Sequence, residues 1–271
     1  MTTAPYQQQY SSPIPVRRAH LGDALASEWT KIRSVRSTMW TLGVMVVLML
    51  GVGLLAAVAV SAAGADTGDE SVIVLGFYGV LLGSLCVVTL GVLTIASEYG
   101  TGMIRTTLTA CPTRSRVLLA KAIVFFLLTF TVTTVTAALV AAMQAGIVGT
   151  GSATGEQWFR ATVGVGLFVA VLGLLSLSVG ALIRHSAGAI TVMIGVMLLP
   201  LVAAMFMFSE SLADVQKVLL QYSIPSLLIA FYSEQGLTEG GPHGWTPLWI
   251  LLAVTAVAMT GAFFAAEKRD V

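Results

Sequence analysis

The sequence predicts an all-α polytopic membrane protein with six transmembrane helices and both termini on the cytoplasmic side. Three observations carry that prediction. Residues of the types AVILMFWYC make up 56% of the 271-residue chain and only 10% is charged, against about 25% in an average soluble domain. Six apolar runs, 40–63, 72–96, 117–147, 161–183, 188–208 and 246–266, are each long enough to cross a bilayer, which takes roughly 20 helical residues. Of the 14 lysines and arginines, 12 fall on one set of alternating connections, and only Arg160 and Lys217 fall on the other. The positive-inside rule assigns the basic set to the cytoplasm. The tryptophans agree, because Trp29 and Trp40 lie at the inner boundary and Trp158, Trp245 and Trp249 at the outer one.

Residues 1–20 form a polar tail with Pro13 and Pro15, expected to be a disordered cytosolic segment without the apolar core of a signal peptide. Residues 21–271 read as one six-span domain. Its lead-in, 21–38, repeats Leu25, Trp29 and Ile32 at helical steps, with Glu28, Lys31, Arg33 and Arg36 on other faces. That pattern predicts an amphipathic helix on the inner membrane surface, beginning near Asp23 as its cap. The outer connection 209–245 holds an apolar stretch, 218–233, too short to span and interrupted by Pro225. Either a re-entrant hairpin or a compact loop fits it. Pro200 is expected to kink the fifth span.

The most informative connection is 98–112, between the second and third spans. It opens with Glu98 and predicts a short amphipathic helix from about Thr101 to Ala110. Ile104, Leu108 and Cys111 fall on one face, Thr101, Arg105 and Thr109 on the other, and Pro112 follows as a stop. Glu98 is placed to orient Arg105 or Arg114, or to contact a cytosolic partner itself. Arg114, Arg116 and Lys121, where the chain re-enters the membrane, read as cations reaching up to anionic lipid.

Ionisable residues are missing from the middle of every predicted span, which disfavours ion-coupled transport. No GxxxxGK[ST] phosphate loop occurs, and His20, His185 and His243 are too scattered for a metal site. The chain is therefore expected to be non-catalytic and to hold no cofactor or metal. Net charge of +1 gives no sign of a nucleic-acid partner, and two cysteines, Cys86 and Cys111, make no disulfide framework. Thr129, Thr133, Thr136 and Gln144 run along one side of the third span. Such groups either bond back to helix carbonyls or give a mildly polar lining to a translocation path. Gly79 and Gly83 have the spacing that lets helices approach closely.

Nearly the whole chain resembles the permease subunit of type-2 ABC exporters, in the wording of actinobacterial members. The lead-in LASEWTKIRSVRSTMW and the segment SEYGTGMIRTTLTACPTRSRVLLAK carry the resemblance, the latter with its acidic residue, Gly/Thr turn, arginine, proline and closing lysine. The resemblance implies that 21–38 is the connecting helix and that Glu98, Thr101, Ile104, Arg105 and Leu108 belong to a coupling helix docked on a separate ABC ATPase. It also implies a re-entrant outer hairpin, two ATPase copies that bind ATP and Mg, and a second permease half, the same chain or a sibling. The setting would be the bacterial cytoplasmic membrane, with lipid as a further partner. The function expected is thus the membrane half of an ATP-driven exporter of a hydrophobic or amphipathic compound. The competing expectation is a non-transporting scaffold or assembly factor that recruits a cytosolic protein.

Overall fold

A long apolar segment can satisfy its backbone inside a bilayer only as a helix or a closed barrel, and the computed structural model of this chain is built from helices. It describes residues 20–64, 72–110, 113–149, 153–233 and 240–268, with the side chains of Arg105 and Ala110 outside the description. The expectations for the N-terminal tail up to Ala19 and for Cys111 and Pro112 also lie outside the described residues.

In chain order the helices are α1 (Leu21–Ser34), α2 (Arg36–Ala62), α3 (Gly76–Gly100), α4 (Met103–Ala110), α5 (Arg114–Val148), α6 (Gly155–Phe159), α7 (Val165–Ile183), α8 (Ser186–Met205), α9 (Ala213–Tyr222), α10 (Ile224–Ile229) and α11 (Thr246–Lys268). A turn of 3-10 helix precedes α3, and a π-helical turn, Arg160–Gly164, joins α6 to α7 in one rod. Six helical stretches are long and apolar enough to cross a membrane: Arg36–Ala62, Val72–Gly100, Arg114–Val148, Gly155–Ile183, Ser186–Met205 and Thr246–Lys268. They coincide with the six predicted runs.

Two boundaries differ from the hydropathy reading for local reasons. The fourth span starts at Gly155 because Thr154 caps it: the Gln157 N–H donates to Thr154 Oγ1 at 3.3 Å while Gln157 Oε1 accepts the Thr154 N–H at 2.8 Å. Helix α1 starts before Asp23, whose carboxylate accepts the His20 N–H at 3.0 Å from the third helical position. Asp23 thus closes a capping box instead of serving as the cap itself.

The α6–α7 rod is the centre of the bundle: 72% of its most apolar stretch is buried, against 22% in α2 and α8 and 17% in α11. Around it pack α3, α5 and α11, with α2 seated on α3 and α5. Glycine sets the closest approaches. A Cβ on Gly79 would lie 2.8 Å from the Met49 carbonyl oxygen, so the Gly79/Gly83 pair does hold α3 against α2. A Cβ on Gly91 would lie 2.6 Å from the Gly173 carbonyl oxygen, which fixes α3 against α7.

At the end of the bundle away from α1 and α4, the 218–233 stretch makes two helices. The break falls at Ser223, in extended conformation, and Pro225 sits in the first turn of α10. Pro225 therefore starts the second helix and does not interrupt the first, as suits a residue with no N–H to leave unsatisfied. Helix α9 has no buried residue, whereas Ile224, Leu227 and Leu228 of α10 are buried against the bundle. Phe231, just beyond, packs tilted against Phe168 and edge-on against Trp245, at centroid distances of 5.5 and 6.1 Å. Pro200 lies inside α8, which continues through it to Met205.

Candidate functional site

Five elements meet at the other end. Helix α1 turns into α2 at the extended Val35, α3 ends at Gly100, and Gly102, at φ +73°, lets the chain fold straight into α4. Helix α5 then begins at Arg114. At 35 residues it is about 50 Å long, well beyond the roughly 30 Å hydrocarbon thickness. Its excess places Lys121 beside α1 and the end of α3.

Lys121 is buried there, 1% exposed. Its Nζ donates to Glu28 Oε2 at 2.6 Å and to Glu98 Oε1 at 2.9 Å. Lys31 Nζ donates to Glu28 Oε1 at 2.9 Å, Glu98 Oε1 at 3.1 Å and Thr107 Oγ1 at 3.3 Å. Two lysines and two glutamates thus close a neutral cluster that draws on α1, α3 and α5, with α4 tied in through Thr107. Charges with so little water are tolerable only because each has opposite partners at hydrogen-bonding distance. Lys31 sits on α1, outside the spans. Burial alone would lower its pKa, but the hydrogen bond and charge of Glu28, with those of Glu98, outweigh burial and hold it above the usual lysine value.

This arrangement corrects several sequence readings. Lys121 does not reach up to lipid; its head is enclosed by two carboxylates. Glu98 pairs with Lys31 and Lys121, and Glu28 and Lys31 belong to the inner side of α1 together with the buried Ile32. Leu25 is half-buried. Trp29 is exposed and carries the Arg33 guanidinium 6.0 Å from its ring centroid. Arg114 donates to the Ala266 carbonyl oxygen at 3.1 Å, tying the start of α5 to the end of α11.

Helix α4 runs over Met103–Ala110, two residues later than the expected start at Thr101, which instead caps the end of α3, and its apolar face is turned inward. Ile104 is 6% exposed and, with the half-buried Leu108, lines a small cavity with Ile95, Tyr99, Val117 and Leu118. Those two side chains seat α4 on its own chain. Met103, Thr106 and Thr109 are exposed, as is Thr101, whose hydroxyl donates to the Ser97 carbonyl oxygen at 2.9 Å.

The polar line on α5 is enclosed within this chain. Thr129, Thr133 and Gln144 are fully buried and Thr136 nearly so. Gln144 Nε2 donates to the Gly53 carbonyl oxygen at 3.3 Å and Thr136 to Val132 at 2.7 Å. These groups face neighbouring helices of the same chain, so within this subunit they show no open surface that could line a path.

Sequence reasoning missed Glu28, Lys31 and Lys121 as a unit. The signal was periodicity: Leu25, Glu28 and Ile32 share one helical stripe, as do Leu118, Lys121 and Phe125. A charge within an otherwise buried stripe calls for a counter-charge.

Fold and site together define a helical membrane protein whose one end carries a short helix tethered to a buried ionic cluster. The chain belongs to the ABC-2 family of transporter proteins, which it matches over residues 24–199, from α1 almost to the end of α8. No curated protein matches it in sequence. Membership makes it the permease component of an ABC transporter, a multi-pass protein of the cell membrane, and implies an ABC ATPase as partner.

Proposed function

We propose that this chain is the permease half of an exporter, paired with a second half of the same or a sibling chain and driven by two copies of a separate ATPase that binds ATP and Mg. Both termini, α1 and α4 lie in the cytoplasm of a bacterial cell, and the cargo is hydrophobic or amphipathic. The observation that carries this reading is the junction of Thr107 with Lys31, Glu98, Glu28 and Lys121. A cytosolic partner pressing on α4 displaces a helix whose polar side is bonded to α1 and whose apolar side is wedged between α3 and α5. Movement of α4 therefore reaches two spans and the connecting helix at once. Glu98, Ile104 and Leu108 act in this reading by holding α4, while the exposed Met103, Thr106 and Thr109, with Thr101 just before the helix, supply the contact side, and Arg105 is assigned to the same contact from the sequence alone.

The test is affinity capture of the full chain from native membranes in mild detergent. A soluble ATPase with a phosphate loop is expected to accompany the natural chain and to be lost with Met103→Asp, an exposed change that leaves the seat of α4 intact. Absence of any ATPase from the folded natural chain would reject the reading in favour of a scaffold.

A further inference from the structure

The turn between the fourth and fifth spans consists of Arg184 and His185. Arg184 ends α7 in the left-handed region, at φ +59°, and donates its N–H to the Gly180 carbonyl oxygen at 2.9 Å. His185 is extended and starts α8, its Nδ1 accepting the Gly188 N–H at 3.0 Å. Among the described residues Arg184 is the one non-glycine residue with positive φ. A helix end of this shape ordinarily carries glycine, because a Cβ there crowds the following carbonyl oxygen. The backbone therefore gives no reason for an arginine. Topology gives none either, since a cation at the exposed, extended position 185 would mark the cytoplasmic side equally well. What remains is the group that the side chain reaches.

The Arg184 guanidinium carbon lies 4.8 Å from the Tyr99 ring centroid, well within cation–π range. Tyr99 is the next-to-last residue of α3 and, with Ala181 of α7, lines the cavity beneath Ile104 and Leu108. One ring therefore stands between the seat of α4 and the end of the central rod. Helices α3 and α7 have little slack at this level, because a Cβ on Gly180 would lie 3.1 Å from the Val92 carbonyl oxygen. A displacement arriving at Tyr99 is thus passed on and not absorbed between the two helices. The ionic cluster does not make this link, since its charges lie on α1, α3 and α5.

We propose that Arg184 is a positioning residue of the coupling path. Its guanidinium, laid over Tyr99, ties the seat of α4 to the buried α6–α7 rod, so that a push on α4 reaches the fourth and fifth spans as well. The proposal rests on the coupling role given to α4 above and adds a second arm to it, separate from Thr107.

The experiment compares Arg184→Gly, Tyr99→Leu, Tyr99→Phe and the natural full chain in nanodiscs, each alone and with the captured ATPase. Arg184→Gly keeps the left-handed turn and removes the side chain. Tyr99→Leu keeps the apolar lining and removes the ring, whereas Tyr99→Phe keeps the ring. On the chain alone, Arg184→Gly and Tyr99→Leu should speed proteolysis at residues 100–113 several-fold and leave cleavage elsewhere unchanged. With the ATPase captured in equal amount, both should move its hydrolysis rate several-fold toward that of the solitary enzyme. Tyr99→Phe should match the natural chain in both readouts, and the double variant should lose no more than either single one. An unchanged hydrolysis rate in Arg184→Gly at equal capture, or Tyr99→Phe as defective as Tyr99→Leu, would overturn the proposal. Failure of the natural chain to capture any ATPase would reject the exporter reading instead. The proteolysis of the chain alone then decides the link, and equal cleavage of Arg184→Gly and the natural chain would overturn it.

Discussion

Lys121 Nζ lies 2.6 Å from Glu28 Oε2, joining residues 93 positions apart in the chain. That contact clamps α1 onto the base of the third span. Both side chains are buried, so neither charge has water to turn to if the other is removed.

Removing one member of a buried pair leaves the other charge without compensation. Lys121→Met should therefore lower the unfolding stability of the detergent-solubilised chain by about 3 kcal/mol. Lys31→Met should cost clearly less, because the Lys31 side chain is 28% exposed against 2% for Lys121. Thermal denaturation of the two variants side by side checks the order. Equal losses would mean that burial does not set the strength of the cluster.

The pH dependence has a defined sign. The pKa of Lys31 is raised in the fold, so its contribution is fully present below the unfolded lysine value of about 10.4 and fades only as pH rises through the higher folded value. The stability gap between the natural chain and Lys31→Met should be flat from roughly pH 6 to 9 and narrow above about 10.5. Melting curves across that range measure it. A gap already closing near neutral pH would contradict the paired geometry.

Close helix packing gives a third prediction. Gly91→Ala would drive a Cβ to 2.6 Å from the Gly173 carbonyl oxygen and separate α3 from α7. A loss of about 1–3 kcal/mol is expected. Gly195→Ala in α8 meets nothing within 4 Å and should be neutral or gain up to about 1 kcal/mol from helix propensity. Paired melting experiments separate the two.

Ile104→Asp places a carboxylate against Ile95, Tyr99 and Leu118 in the seat of α4. Faster proteolysis around residues 100–113 is expected for this variant, and not for Met103→Asp at the neighbouring exposed position. Equal protease resistance of both would show that Ile104 does not anchor the helix.

The six spans were legible because hydropathy reports transfer from water to lipid, the same physics that selects them. The short helix α4 was legible too, since Ile104 and Leu108 at helical spacing mark an apolar face. What the spacing cannot state is which neighbour covers that face, and here the chain's own α3 and α5 do. Lys121 shows the same limit for charge. A lysine at a span boundary looks lipid-facing until Glu28, far away in sequence, is brought beside it. Thr129 and Thr133 marked a real polar stripe, but whether a stripe faces a path or another helix depends on which helices meet. The break at Ser223 escaped because its signal, Ser before Pro at a helix start, was read as a break at Pro225 itself.

In the proposed coupling, movement of α4 enters the spans through Thr107 and the ionic cluster. Its most direct measurement is the rate of ATP hydrolysis by the captured complex in nanodiscs, natural chain against Thr107→Val. That change removes one hydrogen bond, worth about 1 kcal/mol, and leaves the exposed side of α4 untouched. The ATPase should be captured in equal amount while the hydrolysis rate of the complex moves several-fold toward that of the solitary ATPase. Equal capture with an unchanged rate would contradict it.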